Sequence, residues 1–159
     1  MSEPSTNPMR RALRAMTHGV YVLSVSHAQR DEYIVVALAM QCSVEPPRVA
    51  FSVSNSSRIL GVLRAAGGGV LSVLDASQRV AVRRYGTPGG VRNASSEVSR
   101  SEHGHPIAPE GAFWMQLQVH TEIAAGDHVL FVADVLQAGT NSDAFDPLTL
   151  AASKFPYAG

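Results

Sequence analysis

Ser57 is the first residue along the chain whose type and position could do chemistry. It follows a strand-like segment and precedes the apolar run 59–63, so we expect it at the start of a short helix. The unpaired backbone N–H groups of a helix's first turn, together with a hydroxyl, form a site suited to a phosphomonoester. The alternative is an ordinary N-cap that serves only its own helix, and the residue types alone favour that alternative.

Arg83 and Arg84 form a second candidate anion site. They stand side by side at the end of another predicted helix, just before Tyr85 and Gly86. Two guanidinium groups can each bind phosphate through two parallel hydrogen bonds. Cations near a helix C-terminus also stabilise the helix dipole without binding any ligand. The sequence leaves both interpretations open.

Asp127 and His128 form a third candidate, at a tight turn between two predicted strands. A histidine at the mouth of a barrel can donate a hydrogen bond to a ligand, and it titrates near neutral pH. The alternative is an aspartate that stabilises the turn beside a histidine with no role of its own. Turn chemistry by itself favours this second interpretation.

Two other motifs predict structure and not chemistry. The triplet Gly67-Gly68-Gly69 lacks the Lys-Ser/Thr and the following helix that a phosphate-binding loop needs, so we interpret it as a turn. His103 and His105 could hold a metal, but the nearby sequence offers no third ligand. We therefore expect exposed loop histidines and no metal.

The composition excludes several classes of protein. The chain has 159 residues, the size of one domain, and its 13 basic and 13 acidic residues give a net charge of zero, which argues against binding to nucleic acid or anionic membranes. No apolar run is long enough to cross a bilayer, and the start of the chain lacks the pattern of a secretory signal. With Cys42 as the single cysteine, we expect a cytoplasmic protein without disulfides.

The hydrophobic pattern predicts a mainly β (α+β) fold that positions these candidates. Strand patterns occupy residues 20–26, 33–40, 49–54, 70–74, 113–121 and 129–138, and short helices are expected at 9–16, from about 57 to 66 and from about 77 to 86. Residues 87–112 are rich in Gly, Ser and Pro and predict a functional or flexible loop. This pattern favours a closed or nearly closed antiparallel barrel with helices on its rim.

Three blocks of the sequence, taken together, resemble a known family. They are SVEPPRVAFSVSNSSRILGVLRAAGGGVLSVLDASQRVAVRRYG, AAGDHVLFVADVLQAG and the closing DPLTLAASKFPYAG. Their order and spacing resemble the flavin reductase-like family of FMN-binding split barrels, including its flavoredoxin-type members. The resemblance covers residues 10–159, which agrees with a loose tail at 1–8 and one domain at 9–159.

The resemblance implies both a fold and an activity. The fold would be a six-stranded antiparallel Greek-key split barrel with short flanking helices, assembled as a homodimer. FMN, or FAD as the alternative flavin, would bind in a groove at the subunit interface and receive hydride from NADH or NADPH. The reduced flavin would then serve a partner such as a monooxygenase, or the bound FMN would act as an electron carrier.

The resemblance also assigns roles to positions of this sequence. His128 matches the histidine near the nicotinamide or the isoalloxazine and is the candidate catalytic residue. Ser57 matches the serine at the phosphate, Arg83 and Arg84 match a basic pair, and Tyr157 matches the aromatic residue near the flavin. The full set of implied flavin-binding positions is Val35, Val36, Ala37, Leu38, Ala39, Met40, Ser54, Ser56, Ser57, Arg83, Arg84 and Tyr157.

The sequence departs from the family where hydroxyl side chains normally line the isoalloxazine. Those positions hold Tyr33, Val35, Ala37 and Leu38, and Ile59 replaces a second phosphate hydroxyl. Each missing hydrogen bond weakens binding by about 0.5–1.5 kcal/mol, up to roughly tenfold. These replacements support an alternative function: a barrel that has lost flavin, binds an apolar metabolite and catalyses a redox-neutral step.

Overall fold

The computed structural model describes residues 7–87 and 97–155. The helices are α1 (Pro8–Arg14), α2 (Ile59–Ala66), α3 (Arg79–Gly86) and α4 (Leu150–Ser153), with a 3-10 turn at Ala76–Gln78 before α3. The strands are β1 (Tyr21–His27), β2 (Arg30–Val36), β3 (Ala39–Ser43), β4 (Arg48–Ser54), β5 (Gly68–Leu74), β6 (Gly111–Ala125) and β7 (His128–Thr140). The mainly β architecture confirms the fold class expected from the sequence.

The strands form one antiparallel sheet in the order β2-β1-β5-β6-β7-β4-β3. The two strands at its edges, β2 and β3, follow each other in the chain and are separated only by Ala37 and Leu38. A hydrogen bond of 2.9 Å from the Ser52 N–H to the Leu38 carbonyl ties this crossing to β4. Because its edges meet, the sheet curls into the barrel that the sequence predicts.

The sheet has seven strands and not the six that the family resemblance implied. The extra strand arises because the pattern at 33–40, expected as one strand, divides into β2 and β3. Residues up to Val36 pair with β1, whereas residues from Ala39 pair with β4. Ala37 lies at the division and is fully buried. An apolar run without a Gly or Pro gives no signal for such a change of partner.

The β6–β7 hairpin is the longest element, and its tight turn at Gly126 and Asp127 was expected from the sequence. Gly126 has a φ of +67°, a conformation that glycine adopts at low cost. The clean alternation expected along β6 is wrong, because Gln116 and Leu117, on either side of a bulge, are both buried. Leu117 packs in the barrel core, whereas Gln116 accepts a hydrogen bond from the Ser101 hydroxyl of the 97–110 segment.

Two groups of buried side chains form the core. The larger one fills the barrel beneath α2 and includes Leu23, Val36, Phe51, Ile59, Leu63, Leu117 and Phe131. The smaller one lies between β2, α3 and the C-terminal segment and includes Val22, Tyr33, Val35, Leu74, Val82, Tyr85 and Leu148. The two groups share β1 and β2, so these strands separate the barrel interior from the space beneath α3.

The α1 helix forms close to its predicted place, with the Asn7 side chain accepting a hydrogen bond of 2.9 Å from the Met9 N–H. We expected its apolar face to cover part of the core. Instead Met9, Leu13 and Met16 are 72%, 54% and 59% exposed, and the helix buries none of its residues. Within the described chain this face has no apolar partner.

The α2 helix begins slightly later than predicted. Its N-cap is Arg58 and no side chain caps it, so the expectation that Ser57 is the N-cap is wrong. The helix ends at Gly67, whose φ of +70° forms the left-handed C-cap. Gly68 and Gly69 are the first residues of β5, so the prediction that the triplet is a turn is right for Gly67 and wrong for the other two glycines.

Residues 97–110, the described end of the loop predicted at 87–112, are tied to the sheet. Arg100 donates two hydrogen bonds to Asp31, of 2.7 and 3.0 Å. His105 accepts one of 3.0 Å from the Ser26 N–H through its Nδ1 atom and is only 6% exposed. The expectation that both loop histidines are exposed therefore holds for His103 and is wrong for His105, because the loop folds back onto β1.

Candidate functional site

A cleft of about 200 Å³ lies where β2, β4, α3 and the C-terminal segment meet. Its lining residues are Ile34, Val35, Ser52, Val53, Ser54, Ser57, Tyr85, Gly86 and Phe155. The lining combines apolar and aromatic side chains with serine hydroxyls. The cleft therefore suits a ligand with a flat apolar body and a polar or charged tail.

The serines occupy a turn that follows β4. The Ser57 N–H donates to the Ser54 carbonyl at 2.9 Å, and the Ser54 and Ser56 hydroxyls lie 3.0 Å apart. Asn55 ties this turn to the β6–β7 hairpin through bonds to the backbone oxygens of Gly126 and Asp127. Ser54 and Ser57 thus reach the cleft from a turn that is braced on both sides, and not from a helix cap.

His128 begins β7 directly opposite Ser54 in the strand register. Its Nδ1 atom lies 2.7 Å from a carboxylate oxygen of Asp127, and this hydrogen bond lowers the pKa of Asp127. The Asp127 side chain is 95% exposed, whereas that of His128 is 20% exposed. The aspartate therefore orients a mostly covered imidazole beside the serine turn.

The run at 35–40 lies along the floor of the cleft and the barrel wall behind it. Val35 lines the cleft, while Val36 and Ala37 are buried in the wall. Leu38 and Ala39 are partly exposed at the crossing between β2 and β3, and Met40 is 64% exposed. Ile59, which stands where a phosphate hydroxyl was expected, is 1% exposed and packs in the barrel core.

The two arginines at the end of α3 have different surroundings. Arg84 donates a hydrogen bond of 2.5 Å to Glu110, whose side chain is 13% exposed. Arg83 is exposed, and its carbonyl accepts a bond of 2.7 Å from the Thr87 hydroxyl. Neither arginine side chain lines the cleft itself, although Tyr85 and Gly86, which follow them, both do.

Aromatic rings form the wall that sequence patterns did not identify. Tyr85 stacks on Tyr33 with ring centroids 5.2 Å apart, and its hydroxyl donates to Glu110 at 2.8 Å. Burial raises the pKa of Tyr33 to about 12, and burial together with the bond to Glu110 raises that of Tyr85 further. Both tyrosines are therefore neutral donors at physiological pH.

Phe155 completes this wall from the C-terminal segment. A Cβ atom placed on Gly86 would come within 2.7 Å of the Phe155 ring, so the ring lies directly on the glycine. Tyr157, the predicted flavin contact, lies outside the described residues.

Within residues 7–87 and 97–155, no group of three His, Cys, Asp or Glu side chains could hold a metal ion. In the same part of the chain, no helix is long and apolar enough to span a bilayer.

Comparison with known proteins gives one consistent family. The model of the flavin reductase like domain matches residues 13–159. Over 152 residues the chain is 26% identical to the NADH-dependent FMN reductase AsuE2 of Streptomyces nodosus subsp. asukaensis, spanning 92% of this chain and 82% of that protein. Over 148 residues it is 26% identical to the NADH-dependent flavin reductase StyB of Pseudomonas fluorescens, with 92% and 86% covered.

Among solved structures, the chain is similar to the styrene monooxygenase flavin reductase SMOB of Pseudomonas putida S12. The TM-score is 0.79 at 25% identity, and the match covers 91% of this chain and 93% of that one. An FMN-binding protein of Thermus thermophilus with bound p-hydroxybenzaldehyde shares the fold at a TM-score of 0.76 and 20% identity, over 89% of this chain and 82% of the other. The fold and the sequence therefore point to the same family.

Proposed function

Because the chain belongs to the flavin reductase-like domain family, we propose that it is an FMN-binding oxidoreductase that passes hydride from NADH or NADPH to flavin. The observation that carries this proposal is the cleft, whose lining combines apolar side chains with serine hydroxyls and includes Val35, Ser54 and Ser57, three of the flavin positions that the family resemblance implies. The relatives named as NADH-dependent flavin reductases support the same activity.

The residues of the cleft fit a flavin. Ile34, Val35 and Val53 provide apolar contacts for the body of an isoalloxazine, and the rings of Tyr85 and Phe155 extend that wall. Ser54 and Ser57 provide hydroxyls for the polar tail. The loss of the usual hydroxyl side chains at 35–38 leaves backbone groups as the polar partners of the ring, so we expect weak to moderate flavin affinity.

When bound, the flavin supplies the hydride-accepting chemistry, and the protein supplies binding and orientation. The apolar wall excludes water from one face of the ring. The serine turn, together with an arginine at the end of α3, holds the phosphate. His128, held by Asp127 at 2.7 Å, orients the nicotinamide or another substrate at the mouth of the cleft.

The proposal includes a homodimer and a partner enzyme. The uncovered apolar face of α1 supports an assembly, since this face buries no residue within the described chain. Relatives that belong to monooxygenase systems, such as SMOB, support a role in supplying reduced flavin to a monooxygenase. A cytoplasmic location is also proposed, and the exposed thiol of Cys42 suits a reducing compartment.

The decisive experiment is a titration of the purified protein with FMN, followed by a measurement of NADH and NADPH consumption with FMN present. We expect saturable binding and nicotinamide oxidation that depends on the protein. Ser57→Ala should weaken FMN binding by up to about tenfold, as the loss of one hydrogen bond predicts. Ser99→Ala, which changes an exposed serine on the 97–110 segment, serves as the matched control and should bind as the wild type does.

A protein that stays colourless, binds no FMN and consumes no nicotinamide would contradict this function. That outcome would favour the second candidate, a flavin-free barrel that binds an apolar metabolite. The observation behind this candidate is the alkyl wall at Ile34, Val35 and Val53. FMN binding without nicotinamide oxidation would instead indicate an electron carrier.

A further inference from the structure

The adjacent arginines of α3 do not have equal freedom to meet a ligand. Arg84 is engaged by Glu110 at 2.5 Å, and the Glu110 carboxylate is largely buried. Among the residues that the structure describes, Arg83 has no acidic partner within salt-bridge distance. The charge of Arg84 is therefore already balanced by a carboxylate, whereas no described carboxylate balances the charge of Arg83.

The geometry of α3 separates the two residues further. Side chains three positions apart share one face of a helix, so Arg83 projects from the face that carries Gly86. Gly86 lines the cleft, whereas Arg84 reaches toward Glu110, the residue just before β6. Arg83 is thus the arginine whose face of the helix borders the cleft.

Glu110 also acts on the cleft wall itself. One of its carboxylate oxygens accepts a hydrogen bond from Arg84, and the other accepts one of 2.8 Å from the Tyr85 hydroxyl. Tyr85 lines the cleft and stacks on Tyr33 at 5.2 Å. The carboxylate therefore fixes an aromatic wall residue and a cation at the same time.

From these contacts we infer that Glu110 is a positioning residue that sets how the protein distinguishes a phosphorylated flavin from a non-phosphorylated one. It holds Tyr85 in the wall and withholds Arg84 from the ligand, which leaves Arg83 as the arginine that binds the phosphate. This inference rests on the proposed function and specifies the role of each residue at that site.

Electrostatics explains why Arg84 stays with Glu110. A phosphate dianion that approached Arg84 would have to share a guanidinium group already neutralised by Glu110, and would lie beside a carboxylate of the same sign whose side chain is only 13% exposed. Arg83 carries no such penalty. Glu110 therefore keeps phosphate affinity below what two free arginines would give.

The test compares FMN with riboflavin, which lacks the phosphate, in titrations of the full chain. The ratio of the two dissociation constants isolates the phosphate contribution. In the wild type we expect FMN to bind about tenfold more tightly than riboflavin. Arg83→Gln should reduce this ratio to near one while leaving riboflavin binding within twofold. Arg84→Gln should weaken both flavins by the same factor and leave the ratio unchanged.

Glu110→Gln tests the electrostatic role of Glu110, because a purely structural role would leave the preference for FMN over riboflavin unchanged. The amide oxygen can still accept from Tyr85, but the charge that retains Arg84 is gone, so the FMN to riboflavin preference should rise about three- to tenfold. The double variant E110Q/R84Q should lose this rise. Tyr85→Phe, which removes the hydroxyl and keeps the ion pair, should weaken both flavins equally.

An unchanged ratio of the FMN and riboflavin dissociation constants in Glu110→Gln would overturn the inference. So would a result in which Arg84→Gln abolishes the preference for FMN and Arg83→Gln keeps it. In both cases the protein would still bind flavin. Equal binding of FMN and riboflavin by the wild type would also overturn it. If the wild type bound neither flavin, the proposed function would itself fail. Thermal unfolding of each variant confirms that it is folded before its ratio is interpreted.

Discussion

At the scale of single residues, the chemistry of the cleft depends on side chains held by short polar contacts. His128 is the clearest example, because the exposed carboxylate of Asp127 holds its imidazole from the solvent side at 2.7 Å. Ser54 lies opposite His128 in the sheet, so the imidazole lies on the same face as the Ser54 side chain, although His128 does not itself line the cleft.

We predict that His128→Ala slows flavin reduction by NADH by about 10- to 100-fold, the cost of a misplaced reactant, without abolishing FMN binding. Stopped-flow measurement of flavin absorbance checks the rate, and a separate titration checks the binding. Asp127→Asn is the matched control: it keeps the imidazole and weakens only its orientation, so the rate should fall by less. Unchanged reduction kinetics in His128→Ala would remove the proposed role.

Single residues also show how far sequence analysis reaches. Ser54 and Ser57, two of the positions that the family resemblance implies for flavin binding, line the cleft. Glu110 could not be predicted, because its contact with Arg84 joins positions 26 residues apart and no local pattern encodes it. The wrong N-cap has a local origin, since residues 54–57 form a turn and the N-cap of the helix is Arg58.

At the scale of elements, close packing between segments decides the shape of the cleft. Gly86 ends α3 and supports the Phe155 ring, which would lie 2.7 Å from any Cβ placed there. Gly61, in the middle of α2, has open space around its Cβ position. The two glycines therefore test packing and helix propensity separately.

We predict that Gly86→Ala lowers the free energy of unfolding by about 1–3 kcal/mol, because the added methyl group displaces the ring. Gly61→Ala should raise it by about 0.5–1 kcal/mol, because alanine favours the helix. Urea denaturation measures both. A stabilised Gly86→Ala would mean that the Phe155 ring moves aside without cost.

The 97–110 segment gives an element-scale prediction about pH. His105 accepts a bond from the Ser26 N–H, which requires an unprotonated Nδ1, and burial lowers its pKa from 6.5. Asp31 favours the charged imidazole, whereas His103 and Arg100 oppose it. Because the unfolded chain binds the proton more tightly, this contribution to stability is complete above pH 6.5 and is lost as the pH falls below it.

We therefore expect the free energy of unfolding to fall between pH 7 and pH 5, and His105→Asn to flatten that dependence. His103→Asn, an exposed histidine two residues away, is the control and should keep the wild-type slope. Denaturation curves collected across this range are the measurement. Equal slopes in the wild type and in His105→Asn would show that other histidines carry the dependence.

At the scale of the whole molecule, the sequence predicted the fold more completely than it predicted the contacts of the candidate site. Alternating and apolar patterns gave the antiparallel barrel and the order of its helices. The division of residues 33–40 into β2 and β3 escaped prediction, because pairing partners are chosen by the closed sheet and not by local residue types. The apolar face of α1 was predicted, but within the described residues it stays exposed.

We predict that this face joins two copies. A variant with Met9, Leu13 and Met16 replaced by serine should sediment as a monomer, whereas the wild type sediments as a dimer. Its monomer stability should change by less than about 0.5 kcal/mol per site, because these side chains are already exposed. Val80→Ser, at a residue that is 71% exposed on α3, is the control and should stay dimeric.

The order of strands in the sheet also governs how the chain assembles as it leaves the ribosome. The β1–β2 hairpin forms from neighbouring residues and meets β5 soon after. By contrast, Arg48 of β4 pairs with Asp134 of β7, 86 residues later in the chain. β7 must therefore be synthesised before β4, which pairs early with β3, receives its second partner, and until then one edge of the apolar residues 49–53 is open to pairing with other chains.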